Sequence, residues 1–201
     1  MTNPAPLTID HLMAMKRDGE KIAMLTCYDA TFAATMDRAG IDIILVGDSL
    51  GMVVQGRDST VGVEVGDIAY HTGCVSAGLE RTFLLADMPF GSFHNESTAM
   101  ENAVELLAAG GAMVKLEGAG PMIGIVHYMT QRGVPVCGHL GLTPQSVNQL
   151  GGFKVQARDE ESAQRLVQDA IALQQAGAQM LVVECVPSAV GKEVSAALDI
   201  P

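Results

Sequence analysis

The chain has 201 residues, 48% hydrophobic and 17% charged, a balance that describes a globular domain and excludes a disordered tail. Lys+Arg 12 against Asp+Glu 23 gives a net charge of -11, a field that repels phosphate backbones and argues against nucleic acid as a partner. The longest stretch without Asp, Glu, Lys or Arg, residues 133–153, contains Pro135, His139, Pro144, Gln145, Asn148 and five Gly, so it does not read as a membrane span.

Residues 1–6 lack the charged and apolar segments of a signal peptide and read as a short extended lead-in, with a cytoplasmic location as the default. Apolar, β-branched runs predict strands over 22–26 and 43–47, the second followed by Asp48. Residues 49–65 carry Gly51, Gly56 and Gly62 and short β-like pieces at 52–54 and 61–65. A loop of that length leaving a strand end is more often functional than idle. A helix is expected over 67–77 and a strand over 82–86. Met100, Ala103, Val104 and Leu107 then follow helical spacing, before a strand over 113–116. Further strands are expected over 134–138 and 180–183, with a helix carrying Ala163, Leu166, Val167 and Ala170 between them and a last helix over 188–198. Gly40, Gly110 and Gly177 suit the left-handed position that stops a helix.

The strand runs are continuous, not alternating, as strands covered on both faces must be. The recurring β-α alternation builds either an open doubly wound sheet or a closed (β/α)8 barrel. No G-x-G-x-x-G follows the first strand, and polar residues end many strands instead of one switch point, which favours the α/β (β/α)8 TIM-type barrel. Six of its eight units are recognisable, in one domain spanning 1–201, so the first and sixth strands are expected to carry unpaired edges and a lone monomer to be poorly soluble. Cys27, Cys74, Cys137 and Cys185 are far apart in sequence and read as buried free thiols.

The strand ends carry the chemistry: Asp48, Asp87, Glu117, His139 and Glu184, with Lys115 two residues before Glu117 and so pointing the same way. One such carboxylate alone is as easily a helix cap or half of a salt bridge. Several converging acids repel one another unless a cation lies between them, and oxygen-only ligands select a hard ion such as magnesium. Cys137 and His139, two residues apart without partners, do not make a zinc site. His71 and His94 read as packing or surface histidines.

The run Val46-Gly47-Asp48-Ser49-Leu50-Gly51-Met52, then Gln55-Gly56, Asp58-Ser59-Thr60 and Tyr70-His71-Thr72, resembles one enzyme family. The likeness continues through Leu85-Ala86-Asp87-Met88-Pro89-Phe90, Val114-Lys115-Leu116-Glu117-Gly118 and the unbroken block 136–148. It ends with Gly151-Gly152-Phe153-Lys154-Val155-Gln156 and Leu181-Val182-Val183-Glu184-Cys185-Val186-Pro187. The family is ketopantoate hydroxymethyltransferase.

The resemblance implies a (β/α)8 enzyme of pantothenate biosynthesis. It would move a one-carbon unit from 5,10-methylenetetrahydrofolate to 3-methyl-2-oxobutanoate, giving 2-dehydropantoate through an enolate. It implies Asp48 and Asp87 as magnesium ligands that also meet the substrate, with Glu117 in the metal shell. It implies Glu184 as the base that removes the C3 proton, and Ser49, Lys115 and His139 as substrate-binding residues. It further implies a ring-like homo-oligomer, a decamer in the family. Family members continue beyond the sixth unit with a Gly-rich segment, whereas this chain stops at Ile200-Pro201. Two alternative readings are a lyase of the phosphoenolpyruvate mutase and isocitrate lyase type and an inactive barrel fragment with an assembly role. A K-K-C-G-H type loop would indicate the lyase, and Val136-Cys137-Gly138-His139-Leu140 does not match it.

Overall fold

The computed structural model describes residues 5–201, so the first four residues of the expected lead-in lie outside the described residues. The chain forms two compact units, one ending at Val114 and the other beginning at Lys115. In chain order the first holds α1 (Ile9–Asp18), β1 (Met24–Thr26), α2 (Ala30–Ala39), β2 (Ile43–Val46), α3 (Leu50–Val53), α4 (Val65–Ser76), β3 (Phe83–Asp87) and α5 (Glu96–Ala108). Strand β4 (Met113–Glu117) begins in the first unit and ends in the second. The second continues with α6 (Pro121–Thr130), β5 (Val136–Gly141), α7 (Val147–Leu150), α8 (Glu160–Gln175), β6 (Met180–Glu184) and α9 (Ser188–Ala197).

The strand order follows the chain, β1-β2-β3-β4-β5-β6. The pairs β1/β2, β2/β3 and β5/β6 are parallel. Sequential parallel strands need crossovers, and the helices between them supply these. All six expected strands form, and several run further toward their carboxyl ends than apolar content alone marks. β3 takes in Asp87, β4 takes in Glu117, and β5 continues to Gly141, which pairs with Glu184 of β6. Gly40, Gly110 and Gly177 all have positive φ after their helices.

In the first unit α4 packs on β2, β3 and α5, burying Ile44, Leu84, Ile68, Val75 and Leu106. In the second α8 packs on β5, α6 and α9, burying Val136, Leu166, Val167 and Leu173. Truncating such a Leu or Ile to Ala costs roughly 2–5 kcal/mol.

Several expectations need correction. Residues 52–54 are not β-like: Leu50 to Val53 form a helical turn, because the amides of Met52 and Val53 both bond to the Ser49 carbonyl and Leu50 is fully buried. Val61 and Gly62 likewise form a turn, and Val65 is already the first residue of α4. Cover on both faces fails at β1, where Met24 is 37% and Leu25 46% exposed, since β2 is its one strand partner among the described residues. At the other end of the order β6 is not bare, because the Leu181 amide donates to the Pro201 carbonyl. The thiols are free, yet Cys74 is half-buried and Cys185 exposed; Cys185 leaves β6 with a left-handed φ of 51°.

The amino ends of β1, β2 and β3 are tied by a polar network that apolar patterning does not reveal. One oxygen of Asp37 accepts from the Arg81 amide at 3.0 Å, the Thr82 amide at 2.7 Å and the Thr82 hydroxyl at 2.7 Å. The Arg81 guanidinium donates to the Ile41 carbonyl and pairs with Asp42 at 2.9 Å, while Asp42 accepts the Ala23 amide. Burial pushes the Asp37 carboxyl up, and the Thr82 hydroxyl and the amides of Thr82 and Arg81 outweigh it, so the group titrates below its ordinary range. A carboxyl with a lowered folded pKa stabilises the fold above its unfolded pKa and loses that effect as pH falls through the folded value. Asp37→Ala is expected to lower stability at neutral pH by about 1–3 kcal/mol in urea unfolding. The gap from wild type should shrink as the pH is lowered through the carboxylate range, and a gap independent of pH would refute the role.

Candidate active site

In the first unit the ends of β2 and β3 place two carboxylates together. Asp87 closes β3, Asp48 follows β2, and the Asp48 amide donates to Asp87 Oδ2 at 3.1 Å; both residues are buried, 4% and 1% exposed. Next to them Ser49 Oγ lies 2.7 Å from Tyr28 Oη. Burial raises the Tyr28 phenol, the Ser49 bond lowers it, and the charges of Asp48 and Asp87 raise it further. The phenol therefore stays protonated at neutral pH. Tyr28 sits just past the end of β1, where the strand-end rule that found the acids also points, although its role escaped the sequence reading. His71 packs as expected, with Nδ1 2.7 Å from the Tyr28 carbonyl oxygen and its ring edge-on to Tyr28 and Tyr70. His94 stands exposed, against the Gly91 carbonyl.

In the second unit β4, β5 and β6 bring together the remaining four residues. Lys115 and Glu117 point the same way from β4, with Nζ 3.9 Å from Glu117 Oε1. His139 on β5 stands between two acids, Nδ1 3.2 Å from Glu117 Oε1 and Nε2 3.3 Å from Glu184 Oε2. Lys115 Nζ approaches His139 Nδ1 at 3.4 Å, and the Gln145 amide donates to Glu117 Oε2 at 3.1 Å. Burial and the Lys115 charge push the His139 imidazole down, and Glu117 and Glu184 more than offset them, so it titrates above its ordinary value.

Glu184 differs from its neighbours. Its side chain is 44% exposed, while Lys115, Glu117 and His139 are nearly inaccessible. The bond to His139 holds its carboxyl below the usual range; burial opposes this, and the charges of His139 and Lys115 reinforce it. Glu184 is thus ionised and accessible at neutral pH, and the His139 bond that lowers its pKa makes it a weaker base than a free glutamate. The turn after β5 fixes its position: Gly141 has a φ of +87°, its backbone lies against the Glu184 carbonyl, and the Leu142 amide donates to that carbonyl at 2.8 Å.

Among the described residues no group of three or more His, Cys, Asp or Glu is placed to hold a metal. Asp48 and Asp87 nevertheless supply two hard oxygen donors. Magnesium commonly takes one or two carboxylates and fills its shell with water and substrate, so the pair fits it. Both oxygens of Glu117 already face protein partners in its own unit.

Comparison with known proteins places these units in context. Solved structures with similar folds include a phosphonopyruvate hydrolase in complex with oxalate and Mg++ (TM-score 0.68, 12% identity, covering 96% of this chain and 78% of that one). Another is 2,3-dimethylmalate lyase, a member of the PEP mutase/isocitrate lyase superfamily (TM-score 0.67, 15% identity, 97% and 68%). At such identities they show the fold alone: an α/β fold of parallel strands joined by helices, of the kind seen in that superfamily. The model of the ketopantoate hydroxymethyltransferase family matches residues 6–201, and the chain belongs to that family. The 3-methyl-2-oxobutanoate hydroxymethyltransferase of Colwellia psychrerythraea strain 34H is 54% identical over 197 residues, which are 98% of this chain and 75% of that protein. The enzyme of the same name from Shewanella oneidensis is 55% identical over 195 residues, covering 97% and 74%.

The burial contrast within the second cluster predicts unequal costs. His139→Ala leaves the Glu117 carboxylate and the Lys115 ammonium buried with one partner fewer, and is expected to lower stability by about 3 kcal/mol in chemical denaturation. Glu184→Gln, at a half-exposed position, should cost under about 1 kcal/mol. Equal costs would contradict the geometry described.

Proposed function

We propose that the chain transfers a hydroxymethyl group to 3-methyl-2-oxobutanoate from 5,10-methylenetetrahydrofolate, giving 2-dehydropantoate, with magnesium as its metal. The observation that carries this reading is Glu184, the one accessible carboxylate of its cluster, ionised and oriented by a buried histidine. Family membership supplies the substrate, and the two clusters supply groups for each demand of the reaction.

Asp48 and Asp87 would hold the metal. Glu117, whose oxygens face Lys115, His139 and Gln145, supports those residues, and the family resemblance adds it to the metal shell. Bound magnesium supplies a Lewis acid for the keto and carboxylate oxygens of a 2-oxo acid. The Lys115 ammonium offsets the charge of the substrate carboxylate. Ser49, held by Tyr28, and His139 bind and orient the substrate. Glu184 removes the C3 proton; the C–H electron pair becomes the enolate, which forms a bond to the donor's methylene carbon. Both of that carbon's bonds to folate nitrogens break: water supplies the hydroxyl and the proton of one nitrogen, and Glu184 returns the C3 proton to the other. Holding the two substrates in line is the protein's remaining task.

The same reading takes 1–201 as one domain of a (β/α)8-type barrel. It also includes a ring-like homo-oligomer, a decamer, working in the cytoplasm.

Proton NMR of 3-methyl-2-oxobutanoate in D2O with magnesium and without folate tests the first half of the reaction. The C3 proton signal is expected to disappear with wild type and to persist after EDTA. Asp48→Ala and Asp87→Ala should abolish the metal-dependent exchange, and Glu184→Gln should slow it by about a hundredfold or more. Undiminished exchange in Glu184→Gln would remove Glu184 from the role of base.

A further inference from the structure

The reaction proposed above leaves the Tyr70-His71-Thr72 run of α4 without a task, yet His71 touches the residue that holds Ser49. His71 Nδ1 stands 2.7 Å from the Tyr28 carbonyl oxygen. A carbonyl can only accept, so Nδ1 carries the hydrogen and donates it. The two rings meet edge to face, with centroids 6.1 Å apart and planes at 82°. The backbone on either side of Tyr28 is fixed as well. The Cys27 amide donates to the Leu45 carbonyl at 3.1 Å, and the Asp29 carboxylate accepts the Thr31 and Phe32 amides at 2.8 and 2.9 Å. Helix α4, strand β2 and the start of α2 thus hold Tyr28 where its hydroxyl meets Ser49.

Tyr28 Oη and Ser49 Oγ are 2.7 Å apart, and neither has a second hydrogen-bond partner among the described residues. Two hydroxyls can share a hydrogen in either direction, and acidity decides between them. A phenol, with an ordinary pKa of about 10, is a far stronger acid than an aliphatic alcohol, so Tyr28 is the better donor and Ser49 the better acceptor. Burial and the charges of Asp48 and Asp87 keep that phenol protonated at neutral pH. With Tyr28 donating, Ser49 keeps its own O–H free to give elsewhere. Ser49 is half-buried and follows Asp48 directly, so this hydrogen is available to a ligand oxygen at the Asp48–Asp87 pair.

We infer that Tyr28 and His71 are positioning residues: His71 fixes Tyr28, and Tyr28, by donating to Ser49, commits the serine hydroxyl to donate to a carboxylate oxygen of the substrate. The inference rests on the reading above that Ser49 meets the 2-oxo acid, and it sets the direction of each hydrogen bond behind that contact. A carboxylate presents acceptors only, so a hydroxyl held as a donor matches it. The oxygen that accepts from Tyr28 is polarised by that bond, which strengthens what it donates in turn. Without the phenol the serine hydroxyl would rotate among several acceptors, and part of the binding free energy would go into ordering it.

The test is calorimetric titration of the full chain with 3-methyl-2-oxobutanoate in the presence of magnesium, for wild type, Ser49→Ala, Tyr28→Phe, their double variant, His71→Leu and His71→Asn. Ser49→Ala is expected to weaken binding about tenfold or more, and Tyr28→Phe, which keeps the ring and loses the donor, about three- to tenfold. In the Ser49→Ala background Tyr28→Phe should cost nothing further, a coupling that general loosening of the fold would not produce. His71→Leu should lose as much as Tyr28→Phe. His71→Asn, whose amide N–H can replace Nδ1–H, should restore most of that loss. If Tyr28→Phe loses its fold in a thermal melt, the His71 pair decides the question, and the Tyr28–Ser49 cycle decides it if His71→Leu does. The proposal is overturned if Tyr28→Phe binds as wild type, if the losses of Tyr28→Phe and Ser49→Ala multiply, or if His71→Asn loses as much as His71→Leu. It is also overturned if Ser49→Ala weakens magnesium binding with no 2-oxo acid present, which would make the serine a metal ligand. Failure of wild type to exchange the C3 proton while binding follows the expected pattern would sink the reaction reading and leave the positioning role standing, whereas a wild type that does not bind the 2-oxo acid sinks both.

Discussion

Charge in a water-poor space has to be neutralised where it stands, and the second unit is arranged around that constraint. Lys115, Glu117 and His139 are nearly inaccessible, and each lies within 4 Å of an opposite or hydrogen-bonding partner. No one of them is stable there alone, since an unpaired buried ion costs several kcal/mol. Glu184 completes the set from the solvent side, bringing the formal count to two cations and two anions once His139 is protonated. The strand register follows the same need: β5 and β6 pair so that His139 lies opposite Val182 and Gly141 opposite Glu184, which brings the imidazole to the carboxylate.

The first unit solves a different problem at each end of its strands. At the amino ends, Asp37, Arg81, Thr82 and Asp42 form a closed set of hydrogen bonds with backbone groups, an arrangement whose value is rigidity. At the carboxyl ends, Asp48 and Asp87 lie together as two acids held by a backbone amide, an arrangement suited to meeting a cation. The same sheet thus separates residues that hold the fold from residues available for chemistry, as barrels of alternating strands and helices commonly do.

Much of this was legible in the order of residues. Continuous β-branched runs identify strands, and polar residues at their ends mark Asp48 and Asp87 in one unit and Glu117, His139 and Glu184 in the other, because parallel strands within a unit end on the same side. What escaped depends on distance in the chain. Asp37 meets Thr82 across 45 positions, and Tyr28 meets Ser49 across 21, separations over which no local pattern reports. Residues 52–54 misled for a related reason: β-branched valines suggest a strand, yet burial of Leu50 and bonds to the Ser49 carbonyl impose a helical turn. The exposure of Glu184 was hidden too, since apolar content gives no hint that one acid of a cluster stays wet while another is sealed.

Gly141 shows how a residue without functional groups constrains those that have them. Its backbone lies so near the Glu184 carbonyl that a Cβ there would collide with backbone atoms, and its φ of +87° disfavours any side chain. Substitution would have to shift the end of β6 and, with it, the spacing of Glu184 from His139. In the course of sequence drift, this position can therefore be silent in chemistry yet closed to change, while the acid beside it, with space around it, is held by its chemistry instead. Mutational tolerance around the site would then follow two separate constraints, backbone crowding at one residue and reactivity at its neighbour.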